Sequence, residues 1–466
     1  MAEKLTPEQV LQKVIDHYPS INIAAIEIER ARQSMQVANS QLGWQLNAQA
    51  GIERTVGLFG TTSDNMSVAA GMSRALESGS SVAFEGGVRR EDNEIVFSPT
   101  IPNPATASNF GISYRRPLAN NPTQTGFQHA ITAAEQDLES AMVERDEQYD
   151  QLALRVIDLY FSASATQARI YNINQALERT KRLRDFINNR TSLGIAEEKD
   201  ILQVDAQLAS QVAEKSTMET SWMQQMIALN RLMERPWDAR FSTTDKVKAV
   251  SGEFDSLYQQ AQAYSPQVKL LDSRLALADS AIRSRRDERE NSLDLVLFAG
   301  GQNYSGDSAL GSTSESDLTG GVRLEYSRMM DKSGVDAKLY QTQLERDAIL
   351  ENRKMLLENL HYDLASVLAE IKANKLALEA YRKSLKVENM KIDEAMQRYR
   401  SGRIDTDVLI NFEDQLSLAR LSLELQRISL MQRQYKLQIM LGQLWHEIKK
   451  PVYHDLLSDS QSGAGY

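Results

Sequence analysis

Two spacings of apolar residues alternate along this chain. Leu357, Leu360, Leu364, Val367, Ile371, Asn374, Leu378, Tyr381 and Leu385 step by 3 and 4 without exception, the spacing of a coiled-coil seam with one polar member. A second seam runs through Leu409, Phe412, Leu416, Ala419, Leu423, Gln426, Leu430, Arg433, Leu437, Met440 and Leu444. Elsewhere the period is two, which predicts strands. Leu46, Ala48, Ala50 and Ile52 alternate with polar positions, as do Val82, Phe84, Gly86 and Val88, and then Phe110, Ile112 and Tyr114. Leu293, Leu295 and Leu297, then Val322, Leu324 and Tyr326, repeat the pattern, giving four strands in the first half of the chain and two in the second. The turn-rich stretches from Thr61 to Asn65 and from Gly306 to Asp317 read as exposed loops between strands.

Glycine marks an internal duplication. Gly126 and Gly194 stand 68 positions apart, as do Gly334 and Gly402, and neither interval contains a further Gly or Pro. Each interval accommodates one helix about 100 Å long at ~1.5 Å per residue. Breaker-free runs follow, from Gly194 to Pro236 and from Gly402 to Gly442, so each half holds a long helical hairpin. The hairpins are offset by 208, and Gln207-Leu208 matches Gln415-Leu416. Shorter helices open at Tyr18-Pro19 and at Ser265-Pro266, with an offset of 247, so the intervening strand segment is 39 residues longer in the first half. The order predicts a short helix over 5–43, strands with an extra hairpin over 44–118, a long hairpin over 122–235 and a linker over 236–252. The second repeat then has its short helix over 253–290, strands over 291–328 and long hairpin over 334–445, with a tail over 446–466. The fold class is mixed α+β, mostly α.

Composition narrows the function. The 466 residues include only 10 prolines, with 42% hydrophobic and 25% charged positions, which excludes wholesale disorder. No window approaches 18 consecutive apolar residues, so a transmembrane helix is excluded, whereas membrane strands leave little such signal. Cysteine is absent, which removes disulfides, thiolate metal sites and a lipid-acylated cysteine. The opening residues carry no apolar signal segment, which fits either a cytoplasmic chain or a mature form whose signal has been removed. A net charge of −10 gives no footprint for nucleic acid. His17, His129, His361, His446 and His454 are scattered without metal spacing, and the glycine pairs at 86–87, 300–301 and 320–321 lie in strand patterns, where bends or bulges account for them. No cofactor and no enzymatic activity are expected.

Two to six strands cannot close a barrel in one chain, and open strand edges are forbidden in lipid. A membrane location for these strands therefore demands several chains. The duplicated order, together with Tyr18-Pro19-Ser20-Ile21, Leu193-Gly194-Ile195 and Tyr399-Arg400-Ser401-Gly402-Arg403-Ile404 followed by Asp407-Val408-Leu409, resembles the TolC-like outer-membrane factors. The resemblance covers roughly residues 5 to 445. It implies a homotrimer with a 12-helix α-barrel crossing the periplasm and a 12-stranded β-barrel in the outer membrane lipid. Twelve strands require four per chain.

The implied function is an exit duct of a tripartite efflux pump or a type I secretion system, working with a periplasmic adaptor and an inner-membrane pump of resistance-nodulation-division or ABC type. The resemblance implies adaptor contact at the hairpin tips, around Leu193, Gly194, Ile195, Ser401, Gly402 and Arg403. It also implies a channel gate near the second tip. Tyr399 matches a network tyrosine and Asp200 a gate acid, while the positions matching the acidic rings are Val408 and Asn411, with Asp405 and Asp407 beside them. Threefold symmetry would turn each carboxylate into a ring that favours cations. The alternative is a soluble coiled-coil scaffold with a β-rich head, which would have no reason to duplicate strands with lipid-compatible alternation.

Overall fold

The computed structural model describes residues 3–57, 60–96, 98–192, 197–244, 249–446 and 448. Two compact units emerge. One comprises Met1–Glu27, Met142–Leu270 and Arg353–Tyr466, and the other Ile28–Ala141 and Leu271–Asn352.

The second unit carries one antiparallel sheet of six strands: β2 (Gln45–Val56), β3 (Thr62–Ala75), β4 (Ser81–Asn93), β5 (Ala105–Ala119), β7 (Ser292–Ser308) and β8 (Gly311–Ser327), in that order. Four come from the first half and two from the second, as the alternation predicts. Both stretches read as loops are largely strand. Thr62 to Asn65 pairs with residues of β2 and β4, and all of Gly306 to Asp317 except the turn between Ser308 and Gly311 belongs to the β7–β8 ladder. Turn-type composition misled there because both faces are polar at these strand ends, and the backbone ladder to the neighbouring strands overrides the weak strand preference of Ser, Asp and Gly.

Alternation sorts the sheet into two faces. Leu46, Met72, Phe84, Ile112 and Ala299 are successive cross-strand partners on one face, and Val82, Tyr114, Leu297 and Val322 form a neighbouring row on it. The opposite face carries rows such as Asn47, Gly71, Glu85, Gly111, Gly300 and Thr319. The apolar face lies open, with Leu46 at 76%, Ile52 at 78% and Leu318 at 86% exposure.

The glycine pairs make no bulge, since the register shifts only between Pro117 and Ala119 of β5. In β7 and β8 they make room instead. A Cβ at Gly301 would sit 2.6 Å from the Phe110 ring and one at Gly321 2.9 Å from the Phe298 ring, so each aromatic lies across a neighbouring glycine. Phe298 thereby belongs to the polar face, stacked by Arg323 at 5.4 Å.

Helical ends complete this unit, from α2 (Pro19–Ser40), α3 (Pro122–Ser192), α6 (Pro266–Arg289) and α7 (Ser333–Arg400). Arg346 pairs with Asp279 at 2.7 Å and Arg289 with Asp336 at 2.6 Å.

The other unit is helical. Its elements include α1 (Pro7–His17), α4 (Glu198–Leu232), α5 (Phe254–Tyr264) and α8 (Thr406–Met440), with the greater parts of α3 and α7. The main core joins Val10, Leu11, Val14 and Ile15 of α1 to Tyr149, Val156, Ile157 and Phe161 of α3, Leu229 of α4 and Tyr435 of α8. The stretch read as a linker holds a short strand, β6 (Phe241–Thr243), paired in parallel with β1 (Glu3–Leu5). The buried Tyr160 hydroxyl locks that pair, donating to the Leu5 carbonyl at 2.7 Å and accepting from the Thr244 N–H at 2.7 Å.

The heptad seams meet as expected, with Leu364, Ile371 and Leu437 in one cluster and Leu409 and Leu416 in another. Their polar members answer one another. Gln426 donates to the Asn374 side chain at 2.8 Å, Asn374 reaches Ser429 at 3.3 Å, and Arg433 pairs with Glu370 at 2.8 Å. These groups are half-buried, and matching them along the helix pair favours the observed α7–α8 register. Among the described residues no helix is long and apolar enough to cross a membrane.

Candidate functional site: the helical tip

The tip of the second hairpin is built by a glycine. α7 ends at Arg400, and Gly402 has φ +69°, the left-handed conformation that costs glycine least. The Gly402 N–H bonds the Tyr399 carbonyl at 3.0 Å and the Arg403 N–H bonds the Arg398 carbonyl at 2.9 Å, the paired closure that caps a helix and reverses the chain. Ser401, Gly402 and Arg403 are all exposed there. Leu193, Gly194 and Ile195 lie outside the described residues.

Beneath the turn, Tyr399 is buried, and its hydroxyl meets the Thr406 hydroxyl at 2.9 Å, tying the end of α7 to the first turn of α8. Its ring packs on Phe186 at 5.9 Å, and the Arg190 guanidinium lies 5.6 Å over it while donating to the Tyr399 carbonyl at 3.4 Å. Ile187, Val204, Ile392, Ala395, Leu409 and Leu416 form the apolar floor, so four helices converge on this tyrosine.

A cleft of about 510 Å³ opens beside it and brings together four of the five gate residues predicted from sequence: Asp200, Tyr399, Asp405 and Asp407. Asn411 stays apart, exposed on α8 and absent from the cleft lining. Helical geometry explains this, since Asn411 is four residues beyond Asp407 and therefore one turn further down the helix.

Each carboxylate also has a local role. Asp200 accepts the Glu197 N–H at 3.3 Å at the start of α4, Asp405 holds the N-cap position of α8, and Asp407 sits in its first turn. Acids are favoured at helix N-termini by the unpaired N–H groups and the macrodipole. Three charged residues of the cleft escaped sequence reasoning, Glu197, Lys199 and Arg190, as did the polar Gln203 and Thr406. The 208-residue offset could have found two of them, because it lays Glu197 on Asp405 and Lys199 on Asp407. Lys199 pairs with Glu197 at 2.8 Å. That bond, then the Glu197 charge, holds its ammonium above the usual lysine range, with Asp200 and Asp405 adding to the effect. The cleft thus sets four carboxylates against two cations.

Deeper along the same helices, Arg179 pairs with Glu413 at 2.6 Å, Asn172 bonds Ser417 at 2.8 Å and Arg184 bonds Asp205 at 2.5 Å. Asp414 accepts from Gln207 at 3.2 Å, and burial, then the neighbouring Glu413 charge, pushes its carboxyl above the ordinary range.

No protein-family model and no curated protein sequence matches the chain. Solved structures do. The outer-membrane channel OprN is 15% identical, with a TM-score of 0.67 over 94% of this chain and 89% of that one. The outer membrane protein VceC of Vibrio cholerae is 15% identical, with a TM-score of 0.66 over 95% of each chain. The MtrE outer membrane channel of Neisseria gonorrhoeae, in its open state, is 16% identical, with a TM-score of 0.64 over 94% of this chain and 89% of that one. At these identities the likeness is one of fold, and the fold of this chain is that of the TolC-like outer-membrane channels.

Proposed function

We propose that the chain is one subunit of a homotrimeric exit duct, with its sheet in the outer membrane and its long helices in the periplasm, serving a tripartite efflux pump or a type I secretion system. The single observation that carries this is the six-stranded sheet with one apolar and one polar face, whose apolar side lies open in the chain alone. Such a face suits lipid and the opposite one suits a water-filled lumen. Three copies of α3, α4, α7 and α8 supply the twelve helices of an α-barrel. A twelve-stranded barrel takes four of the six strands from each of three copies, or all six from two. A soluble scaffold would leave the apolar face in water, where patches of that size favour association.

In this reading the cleft beside Tyr399 is the gate. Three copies of Asp200, Asp405 and Asp407 place rings of negative charge at the helical tip and favour cations. The Gly402 turn, exposed beside the cleft, is the surface an adaptor grips, together with Ser401 and Arg403 and the corresponding Leu193, Gly194 and Ile195 of the first hairpin. Docking there, with the inner-membrane pump behind it, biases a packed element between two arrangements.

Single-channel recording in planar lipid bilayers tests the reading, comparing the parent chain with Asp405→Ala/Asp407→Ala. Small cation-selective currents in the parent, with weaker selectivity or larger currents in the variant, are expected. Protein shown to be folded by circular dichroism that never inserts, and stays soluble without detergent, would be the scaffold instead.

A further inference from the structure

The strand count goes beyond what the resemblance implies. We propose that all six strands of each copy enter the membrane wall, β8 of one copy pairing with β2 of the next, so that the trimer closes an 18-stranded barrel. The inference rests on the duct reading above.

Three observations carry it. First, the sheet is continuous. Strands run β2 to β8 in sequence order, every neighbouring pair is antiparallel, and the register through β2, β3, β4 and β5 has no break at which a hairpin could leave the wall. Because six is even, β8 runs opposite to β2, and copies join by one more antiparallel ladder.

Second, the additional hairpin is anchored. The β3–β4 turn is closed by the Leu76 N–H on the Ser80 carbonyl at 2.8 Å, with Gly79 at φ +75°. Asn121, which bonds the Gln124 N–H at 3.1 Å at the start of α3, also donates to the Ser78 carbonyl at 2.7 Å. A Cβ at Gly79 would lie 2.1 Å from the Asn121 amide. Ser80 is buried and bonded by Tyr114 of β5 at 3.3 Å. A flap outside the wall would need no such docking.

Third, the lipid-compatible face extends to both edges. β2 exposes Leu46, Ile52 and Val56, and β8 exposes Leu318, Val322 and Leu324. Long edges with unpaired backbone groups cannot persist in lipid, and a second copy of this chain offers the complementary edge.

The consequence is width. With strands ~4.8 Å apart and tilted about 40°, an 18-stranded wall has a backbone diameter of about 36 Å against about 24 Å for 12 strands, roughly twice the cross-section. Barrels of 16–18 strands hold an aqueous channel, which fits the polar inner face here. Selection of cargo then falls to the helical tip.

The absence of cysteine gives the test a clean background. Asn47→Cys or Gln49→Cys in β2 is combined with Asp317→Cys or Thr319→Cys in β8, all on the polar face, and the protein is treated in outer membranes with a short bis-maleimide. The expected denaturing gel shows linked species ending at three chains. The competing pair Glu85→Cys with Thr319→Cys joins β4 to β8 of the next copy, which only a wall of four strands per copy brings together. Linkage of that pair without β2–β8 linkage overturns the inference and leaves the duct standing, whereas a ladder ending at two overturns the inference together with the trimeric form of the duct. Absence of any membrane-inserted oligomer, parent chain included, removes the duct reading and the inference together. Should a double variant fold poorly, Asn47→Cys and Thr319→Cys chains co-expressed as mixed trimers give linked dimers if the edges meet, and none if they do not.

Discussion

Replacing Tyr399 by Phe removes one oxygen from the helical tip and leaves everything else that this residue does. The ring keeps its packing on Phe186 and under Arg190, and the backbone carbonyl keeps its bond from Arg190. What is lost is the 2.9 Å hydroxyl pair with Thr406, and both residues are only 4% exposed. A hydrogen bond contributes about 0.5–1.5 kcal/mol net, and a buried hydroxyl left without a partner costs about 1–3 kcal/mol, so the link between α7 and α8 weakens by about 1–3 kcal/mol. That corresponds to roughly a 5- to 150-fold rise in local opening of the turn. Native-state hydrogen exchange reads it directly: amides from Ser401 to Leu409 exchange faster by at least about five-fold, while those in the main core around Tyr160 do not change. Thr406→Ala has an effect of similar size, and the double variant adds little to either single one. Unchanged exchange at the tip, or fully additive effects, would refute the pairing as the element that holds the turn shut.

Two other expectations concern stability. Gly442 and Gly402 share φ +69°, but a Cβ at Gly442 would meet the Tyr264 ring at 2.2 Å whereas one at Gly402 meets nothing within 4 Å. Gly402→Ala therefore costs only the left-handed strain of about 1–2 kcal/mol, while Gly442→Ala adds overpacking of about 1–3 kcal/mol. Thermal unfolding followed at 222 nm should rank them in that order, and the reverse ranking would contradict the packing at Tyr264. Asp414, whose carboxyl is raised by burial and by Glu413, is uncharged more readily when folded than when unfolded. Its charge therefore penalises the fold as pH rises above the ordinary aspartate range near ~3.9 and not below it. Asp414→Asn, whose amide oxygen can still accept from Gln207, should raise the melting temperature at pH 7 and leave it unchanged near pH 3. An equal gain at both pH values would point to packing rather than charge.

Much of the candidate site was legible in the sequence because helix ends write themselves in residue types. Gly402 marks the reversal, and the offset of 208 aligns the two hairpins, so Asp405, Asp407 and Tyr399 could be placed near one tip before any coordinates. The third dimension was needed for Arg190, which lies more than 200 residues before Tyr399 yet stacks on its ring. It was needed equally to show that Asn411 does not line this cleft, because a position counted along the chain takes no account of which residues surround a cavity.

By itself the sequence determined the elements and their duplication. Periods of 3.5 and 2 are local consequences of how side chains project from helices and strands, so seams and strands appear in the order of residues. Tertiary structure decided what those elements face. The pairing of Asn374 with Gln426 and the placing of Phe298 on the polar face depend on partners distant in sequence, whose register no periodicity encodes. The same holds for the joining of six strands into one unbroken sheet. Strand number could be counted from alternation, but membership of a single wall is a matter of hydrogen-bonded neighbours, and here those neighbours include β5 and β7, separated by the whole of the first helical hairpin.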